Sequence, residues 1–349
     1  MHIFLKTYIP GILLNLSIAL CSLLLASIPW LQMHAIGPLT LAILLGIVLG
    51  NSLYPKIAHA SASGVLFSRQ RLLQLGIILY GFKLTFADIA HIGVQGAVID
   101  ALILTTTFAL AWVVGRKFFK LDTNTVIMIG AGSSICGAAA VMATEPVLRG
   151  RAEQVSVAVS TVLVFGTISM LIYPALFQWN ASWHFLPVTA EGFGVYTGST
   201  VHEVAQVVAA AQFLGDATAN TAVIAKMVRV MMLAPFLVLL SLYVTRAKAS
   251  HQNSEALHVE QKPKITIPWF ALIFIAVAGL NSLSIVPQGI VTSAVSLDTL
   301  LLSMAMSALG LSTHCSAIKK AGCKPLLLGA ILFAWLVIGG GLINRWVMA

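Results

Sequence analysis

Apolar runs of about 20 residues recur along the whole chain, and each is long enough to cross ~30 Å of hydrocarbon as a helix. Inside lipid every backbone N–H and C=O must find its partner within the protein, so only helices and closed barrels span. Alternation with a period of two is absent, which argues against a barrel. The composition points the same way. Of 349 residues 59% are apolar and 9% charged, with mean hydropathy +0.96, whereas a soluble domain carries about a quarter of its residues charged. The expected fold is all-α and polytopic, with about eleven transmembrane helices.

The formal charge of +9 does not indicate nucleic acid. The basic residues stand singly at the ends of apolar runs, where Lys and Arg act as topology signals and headgroup anchors. The four cysteines, Cys21, Cys136, Cys315 and Cys323, lie in or beside apolar runs without CxxC or metal spacing. They read as small packing residues, and no metal or other cofactor is expected. The N-terminus resembles a signal peptide, but its apolar stretch is too long and no Ala-x-Ala site follows, so it reads as an uncleaved first span leaving the membrane near Pro29 and Trp30.

The candidate spans are 9–28, 36–53, 64–86, 92–115, 124–148, 155–179, 192–214, 217–244, 265–282, 290–312 and 325–344, with a polar linker at 246–264. With the N-terminus inside, Lys6, Lys56, Arg69, Arg71, Arg116, Lys117, Lys120, Arg246, Lys248, Lys262, Lys264, Lys319, Lys320 and Lys324 fall on the cytoplasmic side. The opposite side holds Lys83, Arg149, Arg151 and Arg345; Arg149 and Arg151 are the awkward pair, and they join the cytoplasmic side only if 124–148 is a re-entrant hairpin, with 192–214 doing the same from the opposite face. Two echoes suggest an internal repeat. LDTNTVIMIGAGSSICGAA from Leu121 is matched by LDTLLLSMAMSALGLSTHCSA from Leu297, each expected to break its helix at glycine (Gly130 and Gly132; Gly310). SRQRLLQLGIILYGF from Ser68 is matched by AKMVRVMMLAPFLVL from Ala225. The division is an extra span over 1–30, a first five-helix repeat over 31–185 and a second, inverted one over 186–349.

Two polar interruptions carry the chemistry. GAGSSICGAAA, from Gly130, sets Gly132, Ser133, Ser134 and Gly137 in mid-span. Irregular backbone at that depth survives only against protein or a wet cavity. A half-helix beginning there would aim its N–H groups and positive end at an anion, with the serine hydroxyls as donors; close helix packing is the plainer alternative. YTGSTVHEVAQ, from Tyr196, sets Ser199, Thr200, His202, Glu203 and Gln206 in another span. Ionisable residues at that depth are costly and usually mark a substrate or proton route, so His202 and Glu203 are candidates to couple a proton; a Glu satisfied by a neighbouring helix is the alternative. Lys226 and Arg229, three apart in the next span, could balance a bound oxyanion, or Lys226 could snorkel and Arg229 pair with Glu203. Arg69 and Arg71 read as headgroup anchors. Asp122 and Asp298 read as N-caps, His314 as interfacial, Asp100 as lacking an evident partner, and Asn51 as lining a cavity or bonding a carbonyl.

No P-loop, HExxH or GxSxG occurs, so neither an ATP-driven pump nor a membrane hydrolase is expected, and no catalytic residues are assigned. GSTVHEVAQVVAA, IGAGSSICGAAAV, ATEPV, KMVRVMMLAPFL, KITIPWF and SALGLSTHCSAIKKAGCKPL together resemble the YeiH-type family of bacterial inner-membrane proteins, whose members are often labelled sulfate exporters. That resemblance implies a multi-pass protein of the bacterial cytoplasmic membrane. It also implies kinship with the cation/proton antiporter and bile-acid-symporter-like group. The expected function is a secondary transporter, not an enzyme, for a small anion such as sulfate or an organosulfonate, coupled to protons or a cation. Alternatives are sodium-coupled uptake of an organic carboxylate and an anion channel. The expected partners are the anion and membrane lipid, with no nucleic acid; a homodimer is allowed for.

Overall fold

The computed structural model describes residues 2–28, 31, 37–183, 189–249, 269–313 and 322–348. These are helical almost throughout, without a strand among the described residues. Most of the 246–264 linker, the Pro29-Trp30 exit, His314, Cys315, Lys319 and Lys320 lie outside them. In chain order come α1 (His2–Ala26), α2 (Pro38–Ser52), α3 (Tyr54–Phe67) joined through a π-turn (Ser68–Leu72) to α4 (Leu73–Tyr80), and α5 (Phe86–Val113). Then follow α6 (Thr123–Ala131), a π-turn (Gly132–Cys136), α7 (Ala138–Leu148) and α8 (Ala152–Trp183). The second half holds α9 (Ala190–Thr200), α10 (Val204–Gln212), α11 (Asp216–Met231) running into α12 (Leu233–Ala249), α13 (Trp269–Ser282), α14 (Gln288–Ser312) and α15 (Cys323–Met348). The helices α1, α5, α8, α11 with α12, α14 and α15 are long and apolar enough to cross a membrane. Large apolar side chains such as Leu24, Val94 and Ile338 face outward, as lipid-facing residues should.

The eleven apolar segments are helical over most of their described residues, but 124–148 and 192–214 do not cross. Each goes in and turns back. In the first, a Cβ on Gly132 would meet Val141 and one on Gly150 would meet Met128, so α7 retraces α6. Asp122 caps α6 and is hydrogen-bonded by Gln154 of α8, which puts both ends of the hairpin on one face. Burial would raise the Asp122 carboxyl, but bonds from Thr125, Asn124 and Gln154 outweigh it and hold the group below the usual range. In the second, Gly194 packs on Thr218 and Thr221, and Gly198 on Ala222 and Ala225. α9 and α11 therefore run parallel, which is achievable only if α10 returns to the end where α9 began. The two hairpins dip from opposite faces.

This geometry removes the exception among the basic residues, because Arg149 and Arg151 now share a face with Arg116 and Lys117. It is directly testable. In a cysteine-free background, Lys117→Cys and Arg151→Cys should react with an impermeant maleimide from the same side of the membrane, and Asp216→Cys from the other. Arg151→Cys labelling together with Asp216→Cys would restore a full crossing.

The repeat echo fares differently. Asp122 is an N-cap, its side chain accepting from the Asn124 and Thr125 N–H groups. Asp298, by contrast, lies inside the unbroken α14, paired with Lys83 at 2.9 Å. Gly310 breaks nothing either; its missing side chain lets α14 lie against α2, where a Cβ on Gly46 would sit 2.5 Å from the Ser307 carbonyl. The two Leu-Asp-Thr segments are each fourth of five in their halves, but the first is broken and folded back whereas the second runs unbroken. Two groups of helices result. One gathers α1 to α4 with α13 and α14; the other gathers α5, both hairpins, α8, α11 and α15, and the main core runs through both.

Candidate functional site

Each hairpin tip leaves the carbonyls of its first half-helix without the i→i+4 partners that a continuing helix would supply. Two cations from α11, both 0% exposed, take that place. The Lys226 ammonium donates to the carbonyls of Ile135 (2.9 Å) and Val201 (2.7 Å), so it holds both tips at once. Arg229 donates through Nε to the Ser134 carbonyl at 2.7 Å and through Nη2 to that of Ser133 at 2.8 Å, with Nη1 3.5 Å from the Val201 carbonyl. Positive charge thus meets the negative ends of α6 and α9. Lys226 does not snorkel, and its ammonium is not free.

The second half-helices present the opposite polarity. α7 starts after Gly137, whose φ of +67° lies in the range that favours glycine. α10 starts after an extended stretch, Val201 to Glu203. Glu203 bridges the two starts. Its Oε1 accepts from the Ala138 N–H at 3.2 Å, and its own N–H donates to Gln206 Oε1 at 3.1 Å. Its ion partner is Arg69 of the α3–α4 π-turn, 3.6 Å away, and not Arg229. Arg69 is therefore a junction residue rather than a headgroup anchor.

The junction so formed brings Gly132, Ser133, Ser134, Gly137, His202, Glu203, Gln206, Lys226 and Arg229 together. Several buried polar atoms there have no hydrogen-bond partner among the described residues: Ser134 Oγ, His202 Nδ1 and Gln206 Nε2. Ser199 and Thr200 are committed elsewhere. Both hydroxyls donate back to the Tyr196 carbonyl, Thr200 accepts from Tyr173 and Ser199 from Asn344. Gly132 is a packing glycine against Val162 and Val141. Asn51 bonds the Ile47 and Thr313 carbonyls, away from the junction.

One residue gains importance that its sequence context did not signal. Asp100, in mid-α5, is 0% exposed with both carboxyl oxygens unpartnered among the described residues. Arg229 and Lys226 are the charges that act on it. Among the described residues the junction therefore brings three basic side chains, Arg69, Lys226 and Arg229, to two carboxyl groups, Asp100 and Glu203. Among the described residues no group of His, Cys, Asp and Glu is arranged to hold a metal ion.

Comparison with known proteins fits a membrane protein of this kind. The family described as Conserved hypothetical protein 698 matches residues 10–329. A UPF0324 membrane protein of Pseudomonas aeruginosa is 60% identical over 342 residues, covering 98% of this chain and 95% of the relative. The UPF0324 inner membrane protein YeiH of Escherichia coli K12 is 54% identical over 98% of this chain and 95% of its own length. The Salmonella typhimurium protein of that name is 55% identical over 97% and 93%. The chain belongs to this YeiH-type family of multi-pass membrane proteins.

Proposed function

We propose that this member of the YeiH-type family is a secondary transporter of a small anion, such as sulfate or an organosulfonate, that binds where the two hairpin tips meet. The observation that carries the reading is the fate of Lys226 and Arg229. By neutralising the carbonyl ends of α6 and α9, they leave the positive starts of α7 and α10 as the exposed polarity of the junction. Three cations against two carboxyl groups favour a negatively charged occupant, and burial at mid-depth would make that preference strong. The unpartnered Ser134 Oγ and Gln206 Nε2 are donors for its oxygens, and His202 and Glu203 are the groups to couple a proton. Hairpins dipping from opposite faces to a shared site suit alternating access by movement of one helix group against the other. The basic residues gathered on the N-terminal face support a cytoplasmic N-terminus, in the inner membrane where the enterobacterial relatives are named. No prosthetic group and no enzymatic step enter this reading.

Purified protein in liposomes tests it. Sulfate or taurine exchange should saturate with concentration and respond to a pH gradient, and Glu203→Gln should abolish the pH response. Flux that follows a sodium gradient with carboxylates would replace the substrate class; flux without saturation would indicate a channel. No flux of any of these solutes above protein-free liposomes would refute the proposal.

A further inference from the structure

We infer that Glu203 is an internal ligand, its carboxylate occupying in this conformation the subsite that a transported carboxylate or oxyanion takes once the side chain leaves. The inference rests on the anion-transport reading and deepens it by assigning Arg69, Gly137 and the Ala138 N–H as the subsite. A hydrogen-bond donor and an ion partner from separate elements converge on one oxygen, Glu203 Oε1: the Ala138 N–H at 3.2 Å, at the positive start of an 11-residue helix, and the Arg69 guanidinium, with Nη2 at 3.6 Å. The space around the carboxylate stem is made by a missing side chain, since a Cβ on Gly137 would sit 2.5 Å from Glu203 Cγ. A second, independent feature lies on the same break: Gln206, whose Oε1 is held by the Glu203 N–H, is fully buried with Nε2 unpartnered among the described residues. Its amide lies beside Gly166 of α8, on the side of the break away from solvent.

Exposure separates this pair from the rest of the charge. The side chains of Arg69 and Glu203 are 18% and 12% exposed, whereas Lys226, Arg229 and Asp100 are sealed. Solvent reaches the carboxylate and its partner but not the cations that bind the carbonyls. Glu203 is the N-cap of α10, with φ −107° and ψ 147°, so its side chain stands outside the helical turns, and its departure uncaps α10 without breaking a bond inside the helix. The charged and titratable groups around it are Arg69 from the α3–α4 turn, Lys226 from α11, Cys136 from the first hairpin tip and His202 next to it in sequence. An anion entering beside Arg69 competes with the Glu203 carboxylate, which links its arrival to protonation or withdrawal of that side chain.

The test is chemical rescue on the full-length protein in detergent, read by thermal unfolding with sodium acetate or sodium sulfate at constant ionic strength. Glu203→Ala should be stabilised by either anion at a concentration roughly tenfold lower than wild type requires, and Arg69→Ala in that background should remove the gain. Glu203→Gln, which keeps the side-chain volume, covers the case in which the alanine protein does not fold, and should show the same direction of change. If both variants elute as folded protein and respond no more than wild type, Glu203 is a structural ion pair and the inference falls, whatever the liposomes show. If the variants gain the response but wild-type liposomes carry no sulfate, taurine or carboxylate, the subsite stands and the transport reading falls.

Discussion

Arg229→Ala should remove most of the protein's stability in detergent and all measurable anion flux. The guanidinium makes two short bonds, to the carbonyls of Ser134 and Ser133, and it is completely enclosed. Neutral bonds between helices in membranes are worth only about 0.6 kcal/mol on average. A bond to a charged group is worth about 1.5–3 kcal/mol, and a buried acceptor left without a donor costs about as much. Two such bonds lost together come to about 3–6 kcal/mol, a large share of the ~5–15 kcal/mol that holds a domain folded. Asp100 would also lose the first of the two cations acting on it. Arg229→Lys should lie between, because an ammonium keeps the charge but not the planar fork that reaches both carbonyls. Melting temperature and sulfate flux of the two variants decide the matter. A wild-type melting temperature for Arg229→Ala would mean that the hairpin tip satisfies its carbonyls by other means.

The partnership between α11 and the tips explains what could be read from the residues alone. Apolar length revealed the apolar segments but not the start of α3 at Tyr54, which lies between two of them, and the glycine and serine clusters at Gly132–Gly137 and Gly198–Thr200 marked both broken ones. The direction taken after each break was hidden, because it depends on backbone angles. A positive φ at Gly137 and an extended Val201–Glu203 turn the chain back, and composition does not specify either. The one trace in the sequence was Arg149 with Arg151, a basic pair that a full crossing would strand on the wrong face. Lys226 and Arg229 were recognisable as buried cations, but their carbonyl partners exist only once the helices are broken and folded back. Arg69 was misread because a π-turn, Ser68–Leu72, shifts the helical register and carries it toward Glu203. The Leu-Asp-Thr echo misled for a simpler reason. Three residues that cap a helix at Asp122 can equally lie inside one at Asp298, where Lys83 supplies the compensation.

Gly137→Ala should separate transport from stability. At φ +67° and ψ −136° an L-residue is strained by about 1–3 kcal/mol, which is less than the loss expected for Arg229→Ala. The added methyl would also lie 2.5 Å from Glu203 Cγ and 3.2 Å from Oε1. Cγ is not the flexible end of the side chain, so Glu203 must leave the Ala138 N–H or the start of α7 must move. Either shift disturbs the place where both hairpins meet, and anion flux should fall at least tenfold in a protein that still elutes as folded. Gly215→Ala is the control. Its φ is +98°, so it bears comparable strain, but nothing lies within 4 Å of the added methyl and the position belongs to the turn between α10 and α11. It should melt slightly lower and transport normally. If Gly137→Ala transports as well as Gly215→Ala, contact between Gly137 and Glu203 has no part in the transport cycle, and the hairpin junction is a structural joint alone.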